Sequence, residues 1–304
     1  EWFRPAPPTG PFAADPLAPA EPDDWTLDDL LAFVRSPARW FLRRRLGVRL
    51  YVPQEAPADD EPFCLDGLEG YAVGQRLVAA HLAGTPPEHA YRELRSMGAL
   101  PAAAAGRQAF DAAWADAAAL AARAAPLLAQ PQPDRLLQLD IDGTLLTGRL
   151  RGLTAAGLVD CQFTKKARGK RLLSLWVRHL ALNASGGPAD SYLMTREETV
   201  RLAPPTDAHA RLTDLLALAR QGLREPLPLL PDSALAYVRA KKSDTGLKAA
   251  RLAWEGNSYN DRPGEREDAD VQAAFRGRDP LAEPVFAELA ERVFGPLLAV
   301  LEKA

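Results

Sequence analysis

The feature that most constrains this chain is a change of hydrophobic period at Pro131-Gln132-Pro133-Asp134. Upstream, Leu68, Tyr71, Ala72, Val78, Ala79 and Leu82 recur at helical spacing, and an alanine-rich run from about Ala105 to Gln130 carries Phe110, Trp114 and Leu120. Downstream, Leu137, Leu139 and Ile141 alternate, Asp142-Gly143 fits a two-residue turn, and Leu145, Thr147, Arg149 and Leu150 return. A period of two cannot lie on one face of a helix, so a β-hairpin is expected between helical blocks, and the fold class is α/β.

Further strands and helices follow from the same patterns. A third strand over Gly157 to Phe163 is predicted directly after the hairpin, as a three-stranded meander. Lys170 to Asn183 reads as an amphipathic helix through Leu173, Trp176, Val177 and Leu180. Short strands are expected at Tyr192 to Met194 and Thr199 to Leu202, then a helix introduced by Pro204-Pro205-Thr206 and ending near Gly222. Short helices around Ala234, Leu247 and Val271, a polar loop from Asn257 to Asp268 and a last helix from Pro284 onward complete the pattern.

At the other end, seven prolines between Pro5 and Pro22 favour extended chain, so residues 1–24 read as a Pro/Ala-rich linker. Thr26 with Asp29 approximates a capping box before Leu27, Leu30, Leu31 and Val34, Ser36-Pro37 restarts the helix, and Gly47 closes it. Residues 25–304 then form one unit, helical over 25–130, with a sheet core and C-terminal helices over 131–304. The chain opens at Glu1 without an initiator Met, which fits a segment cut from a longer polypeptide at an interdomain linker.

Composition narrows the function. Cys64 and Cys161 match no disulfide framework or zinc spacing, which points to a reducing cytoplasm and no structural metal. No run approaches the eighteen or so apolar residues of a membrane span. A formal charge of -3 argues against a general nucleic-acid binder, leaving local basic patches as the alternative.

The segment Leu30 to Val48 (LLAFVRSPARWFLRRRLGV) resembles the signature that opens the C-terminal domain of the RecC family, and RecB and AddB nuclease domains carry a comparable helix. Glu61 to Leu68, Leu145 to Leu150, Leu175 to Leu180 and Ala253 to Gly256 are similar to RecC blocks in the expected order. The resemblance implies a degenerate PD-(D/E)XK nuclease-like core, a small mixed sheet flanked by helices with further helices at both ends. It implies assembly with RecB and RecD, in a DNA-repair helicase-nuclease that splits and channels double-stranded into single-stranded DNA. ATP and magnesium would then be used by partner subunits, with no cofactor in this domain.

Active nucleases of that class place one acid on the second strand, then Asp or Glu, one residue, and Lys on the third, so that carboxylates hold Mg2+. In this sequence Arg151 stands where the first acid belongs, Asp160 takes the second acid position, and Gln162 replaces the Lys. The expectation is a site with neither catalysis nor metal, and a residual Mg-dependent DNase is the alternative. Lys165, Lys166, Arg168, Lys170 and Arg171 are the candidates for contact with DNA phosphates, with Arg43-Arg44-Arg45 a weaker cluster.

A rival motif is Asp140-Ile141-Asp142-Gly143-Thr144, which matches the D-x-D-G-T of haloacid dehalogenase-like phosphatases, where the first Asp is the nucleophile. That chemistry needs a crossover after the motif and late acids on a strand; an immediate hairpin, with Asp244, Asp261 and Asp268 in polar loops, favours the turn reading. His81, His89, His179 and His209 show no catalytic or metal spacing, and Trp40, Trp114, Trp176 and Trp254 fall on apolar helical faces as core.

Overall fold

The computed structural model describes residues 15–20, 22, 24–50, 67–240, 243–257 and 262–303. A short strand β1 (Trp25–Thr26) leads into α1 (Leu27–Arg35). Thr26 caps α1 reciprocally: its hydroxyl accepts the Asp29 N–H at 3.1 Å, and the Asp29 carboxylate accepts the Thr26 N–H at 3.0 Å. Ser36 then caps α2 (Pro37–Trp40), with Pro37 in the first turn. The helix widens into a π turn over Phe41–Arg45, which spacing alone does not foretell, before the chain leaves at Gly47. Helices α3 (Gly67–Leu82), α4 (Pro87–Ser96) and α5 (Ala103–Leu128) follow. The periodicity misses α4 because only Ala90 and Leu94 of it are buried.

Strands β2 (Arg135–Ile141) and β3 (Thr144–Leu150) pair antiparallel from Arg135↔Leu150 to Ile141↔Thr144. Asp142 (φ 49°) and Gly143 (φ 78°) are both left-handed, as a type I′ turn demands. β1 adds to the other edge of β3, parallel, through Trp25↔Leu146.

The expected three-stranded meander is corrected here. β3 stops at Leu150, Gly152 turns the chain at φ 74°, and β4 (Leu153–Thr154) with β5 (Gly157–Cys161) belongs to a second sheet. The third strand therefore does not lie along the second, and it ends at Cys161 rather than Phe163. Pro131 and Pro133 cannot donate to a ladder, so β2 does not extend upstream as a regular strand. The sheets are joined through the Pro131↔Thr154 bridge, with Gln132 N–H donating to the Leu153 carbonyl at 2.8 Å.

From β5, helix α6 (Gly169–Gly186) crosses over to β6 (Ser191–Met194), which is parallel to β5, and β7 (Thr199–Leu202) returns antiparallel. Then come α7 (Ala208–Gln221), α8 (Pro231–Arg239), α9 (Ser243–Glu255), a small hairpin of β8 (Gly256–Asn257) and β9 (Arg262–Pro263), a 3-10 turn over Glu265–Glu267, α10 (Ala269–Phe275) and α11 (Val285–Ala299). A final strand β10 (Leu301–Lys303), hidden from periodicity by its length, pairs with β7. The second sheet runs β10-β7-β6-β5-β4, and the first β1-β3-β2. Small mixed sheets flanked by helices confirm the α/β expectation. Asp244 falls within α9, not in a loop, while Asp261, Cys64 and residues 61–66 lie outside the described residues.

Alternation along β5 and β6 splits the core. Leu158 and Leu193 face the main cluster with α1, α6, α7 and α11, while Val159 and Met194 face a second cluster under α3, α4 and α5. Trp40 and Trp176 are buried in the main cluster, and Trp254 and Trp114 pack half-buried against the two. Among the described residues no helix is long and apolar enough to cross a membrane.

His179, fully buried on α6, sits 2.8 Å (Nδ1) from the Ser191 hydroxyl and 3.1 Å (Nε2) from the Ala203 carbonyl. The carbonyl requires Nε2–H, so Nδ1 accepts from the hydroxyl and the ring is neutral. Burial holds its pKa down to about 4. Between the unfolded value near 6.5 and the folded value, only the unfolded chain binds this proton, so stability drops as pH falls through that window. The loss should reach up to about 3 kcal/mol. Urea unfolding of the wild type and His179→Gln should give a stability difference that narrows from pH 7.5 to 4.5; a constant difference would refute this.

Candidate functional site

β5 ends beneath the first turns of α6. With a period of two, Asp160 and Gln162 share the face of Leu158, toward α6, and Cys161 faces the opposite cluster. On α6, Arg171, Ser174 and Arg178 are three and four residues apart and therefore share one face. Arg178 donates to the Asp160 carboxylate, which also accepts from Gln162 Nε2 at 2.9 Å; Arg171 in turn donates to Gln162 Oε1. Arg35, the last residue of α1, donates from Nε to the Ser174 hydroxyl at 2.8 Å. Tyr71 of α3 places its ring centroid 4.9 Å from the Arg171 guanidinium carbon. A cleft of about 1050 Å³ opens over these groups, with Arg149 and Arg151 at one side and the 263–268 segment at another.

The charges in this cleft are uneven. The Arg178 and Asp160 side chains are only 20% and 16% exposed, so their pairing is weakly screened. Arg35 has its pKa lowered by burial and then by the like charge of Arg178, with Asp28 and Asp160 opposing. Burial, with help from Asp160, pushes the Cys161 thiol up to about 11, so it is no nucleophile. Glu265 is raised by burial and by Asp232, yet it accepts the Asp232 N–H at 3.0 Å and the Ser233 N–H at 2.8 Å, capping α8.

The sequence candidates divide. Extending the Leu153↔Leu158 register by two residues sets Arg151 opposite Asp160, although its side chain is 75% exposed and leans toward Asp134 at 3.7 Å. Arg168, Lys170 and Arg171 line the cleft, with Lys170 3.6 Å from Asp268. Lys165 and Lys166 do not line it; they sit 3.4 and 3.7 Å from Glu197. In the Arg43–Arg45 cluster, Arg44 lies 3.7 Å from Asp29 and Arg45 donates to the Ala18 carbonyl. Arg35, Tyr71 and Arg178 are absent from the sequence candidates. A polar stripe at 171, 174 and 178 on an otherwise apolar helix is the signal that marks Arg178.

The family model for the RecC C-terminal domain matches residues 22–242, which contain this whole side of the cleft from Arg35 to Asp232. The chain belongs to the RecC C-terminal domain family. It is 29% identical over 320 aligned positions to RecBCD enzyme subunit RecC of Escherichia coli strain K12, covering 98% of this chain and 28% of that protein. Identity is 34% over 247 positions with the RecC subunit of Mycolicibacterium smegmatis, covering 76% of this chain and 22% of that protein. The RecC subunit of Mycobacterium tuberculosis is 28% identical over 96% of this chain. The chain thus spans roughly a quarter of the length of these relatives. Of the RecC-like blocks, those at 30–48, 61–68, 145–150 and 175–180 lie inside the family match and that at 253–256 lies beyond it.

Two alternatives for this RecC-family chain meet the geometry directly. The D-x-D-G-T motif is a hairpin: exposed Asp140 accepts the Gly143 N–H at 2.7 Å, and Asp142 accepts from the Thr213 hydroxyl at 2.9 Å. A phosphatase nucleophile at Asp140 would need a crossover that the β2–β3 turn replaces. For magnesium, Asp160 is flanked by Arg178 and Gln162, and among the described residues no three His, Cys, Asp or Glu side chains converge as ligands. The donor set does not fit a divalent ion.

Asp160→Ala should leave Arg178 buried beside Arg35 and Arg171 without its counter-charge and cost about 3 kcal/mol. Chemical denaturation of Asp160→Ala, Arg178→Leu and the double variant should show the two losses far from additive. Strict additivity would mean that the pair does not hold the β5–α6 junction.

Proposed function

We propose that this chain is the non-catalytic, nuclease-shaped domain of a RecC subunit, acting beside RecB and RecD in a helicase-nuclease for double-strand-break repair. It serves as a scaffold for their assembly and for the splitting and channelling of DNA strands. The carrying observation is the Arg178 guanidinium on Asp160. Two-carboxylate chemistry needs a dication at that point, and a guanidinium there raises the cost of placing one. Gln162, in the Lys position, carries no charge with which to orient a water.

A degenerate PD-(D/E)XK core is supported by the order of elements: hairpin, strand, crossover helix, parallel strand. The partners are supported by the printed name of the relatives, RecBCD enzyme subunit RecC. On this reading ATP and magnesium belong to partner subunits, the domain holds no cofactor, and the assembly works in the cytoplasm.

Incubated with linear duplex or single-stranded DNA and Mg2+ or Mn2+, the chain should release no more nucleotide than Asp160→Ala. Tagged chain should capture cognate RecB and RecD from a mixture of the purified subunits. Metal-dependent cleavage lost in Asp160→Ala would instead establish a residual DNase, and failure of capture would remove the scaffold role.

A further inference from the structure

Asp160 is matched by one cation, Arg178. The cleft holds more than that. Arg35, Arg168 and Arg171 line it too, and among the described residues none of these three has a carboxylate within 4.0 Å. The acids of the cleft are engaged elsewhere. Glu265 caps α8, Glu267 accepts the Gly264 N–H, Asp232 accepts the Gly169 N–H at 2.7 Å, and Asp268 caps α10 and faces Lys170. Asp28 lies in the first turn of α1.

Neighbouring guanidiniums repel one another, and Arg35 feels the like charges of Arg178 and Arg171, opposed in part by Asp28 and Asp160. Such a cluster is stabilised when an anion enters it. Arg171 is also held over the Tyr71 ring and bonded to Gln162, so its donors are preorganised.

We propose that this cleft grips the phosphate backbone of a nucleic-acid single strand, with a phosphodiester seated between Arg35 and Arg171 and Arg168 at the mouth. The choice of nucleic acid rests on the RecC reading above; the anion site rests on the arginines. Binding is independent of sequence, because guanidinium contacts to phosphate carry no base information. Tyr71 is a positioning residue that acts through Arg171.

The test is fluorescence anisotropy with the whole chain and a labelled ten-residue oligothymidylate, with duplex DNA and polyglutamate as competitors, and circular dichroism of each variant. Arg35→Gln and Arg171→Ala should each weaken binding about fivefold or more, and each lost phosphate contact should lower the slope of log Kd against log salt by about 0.7. Arg168→Glu, at an exposed position, keeps the test decisive if a buried variant misfolds. Tyr71→Ala should weaken binding and Tyr71→Phe restore it, whereas Lys165→Glu/Lys166→Glu, outside the cleft, should change Kd less than twofold.

Unchanged affinity in the cleft variants, no binding by the wild type, or an equal loss in the Lys165/Lys166 variant would overturn the proposal. Competition by polyglutamate as strong as by unlabelled oligothymidylate would overturn it in favour of an acidic polypeptide. Capture of RecB and RecD is scored on the same variants. A cleft without strand binding but with capture intact sinks only this inference, while lost capture by the wild type sinks the reading beneath it.

Discussion

Leu172, Leu173, Leu175, Val177, Leu180 and Ala181 of α6 are all 0% exposed, and this buried face fixes where the crossover between β5 and β6 lies. At roughly 2 kcal/mol for each large side chain removed from water, that face contributes on the order of 10 kcal/mol. The charged stripe opposite it works against a penalty of a few kcal/mol for crowded guanidiniums. The apolar term is larger, so α6 holds Arg171 and Arg178 over the strand end. Removing Trp176 or Leu180 from the core would move the cleft before it changed any charge.

The pairing of Arg178 with Asp160 explains how the β5–α6 junction tolerates a mostly buried acid. A carboxylate at a strand end beneath a helix is costly unless something cationic meets it. A guanidinium from the crossover helix does so, and the coupling is internal to the β5–α6 unit.

Much of the fold is legible in the sequence where one pattern dominates. The Thr26 capping box, the Ser36-Pro37 restart, the Asp142-Gly143 turn and the α6 face each follow from local chemistry, because the residues that specify them are neighbours in the chain. The break after Leu150 is not local: Gly152 looks like any turn residue until the pairing of β4 with β5 leaves no room at its Cα, where an added Cβ would come within 2.8 Å of the Val159 carbonyl oxygen. The site behaves likewise. Asp160 and Gln162 stand out by their place in a strand pattern, whereas Arg35 meets Ser174 across 139 residues, a separation that periodicity does not bridge. Lys165 and Lys166 belong to the same basic run as Arg171 but turn toward Glu197, because the helix starts only at Gly169.

The last strand has a consequence for how the molecule lives among its neighbours. By pairing with β7, β10 hides a longer row of backbone donors and acceptors and substitutes an edge three residues long, on which Glu302 and Lys303 are exposed. So charged a border offers little template for another polypeptide to zip onto. The five-stranded sheet is thus guarded against self-association on that flank, which leaves docking to side chains and shape rather than to stray backbone.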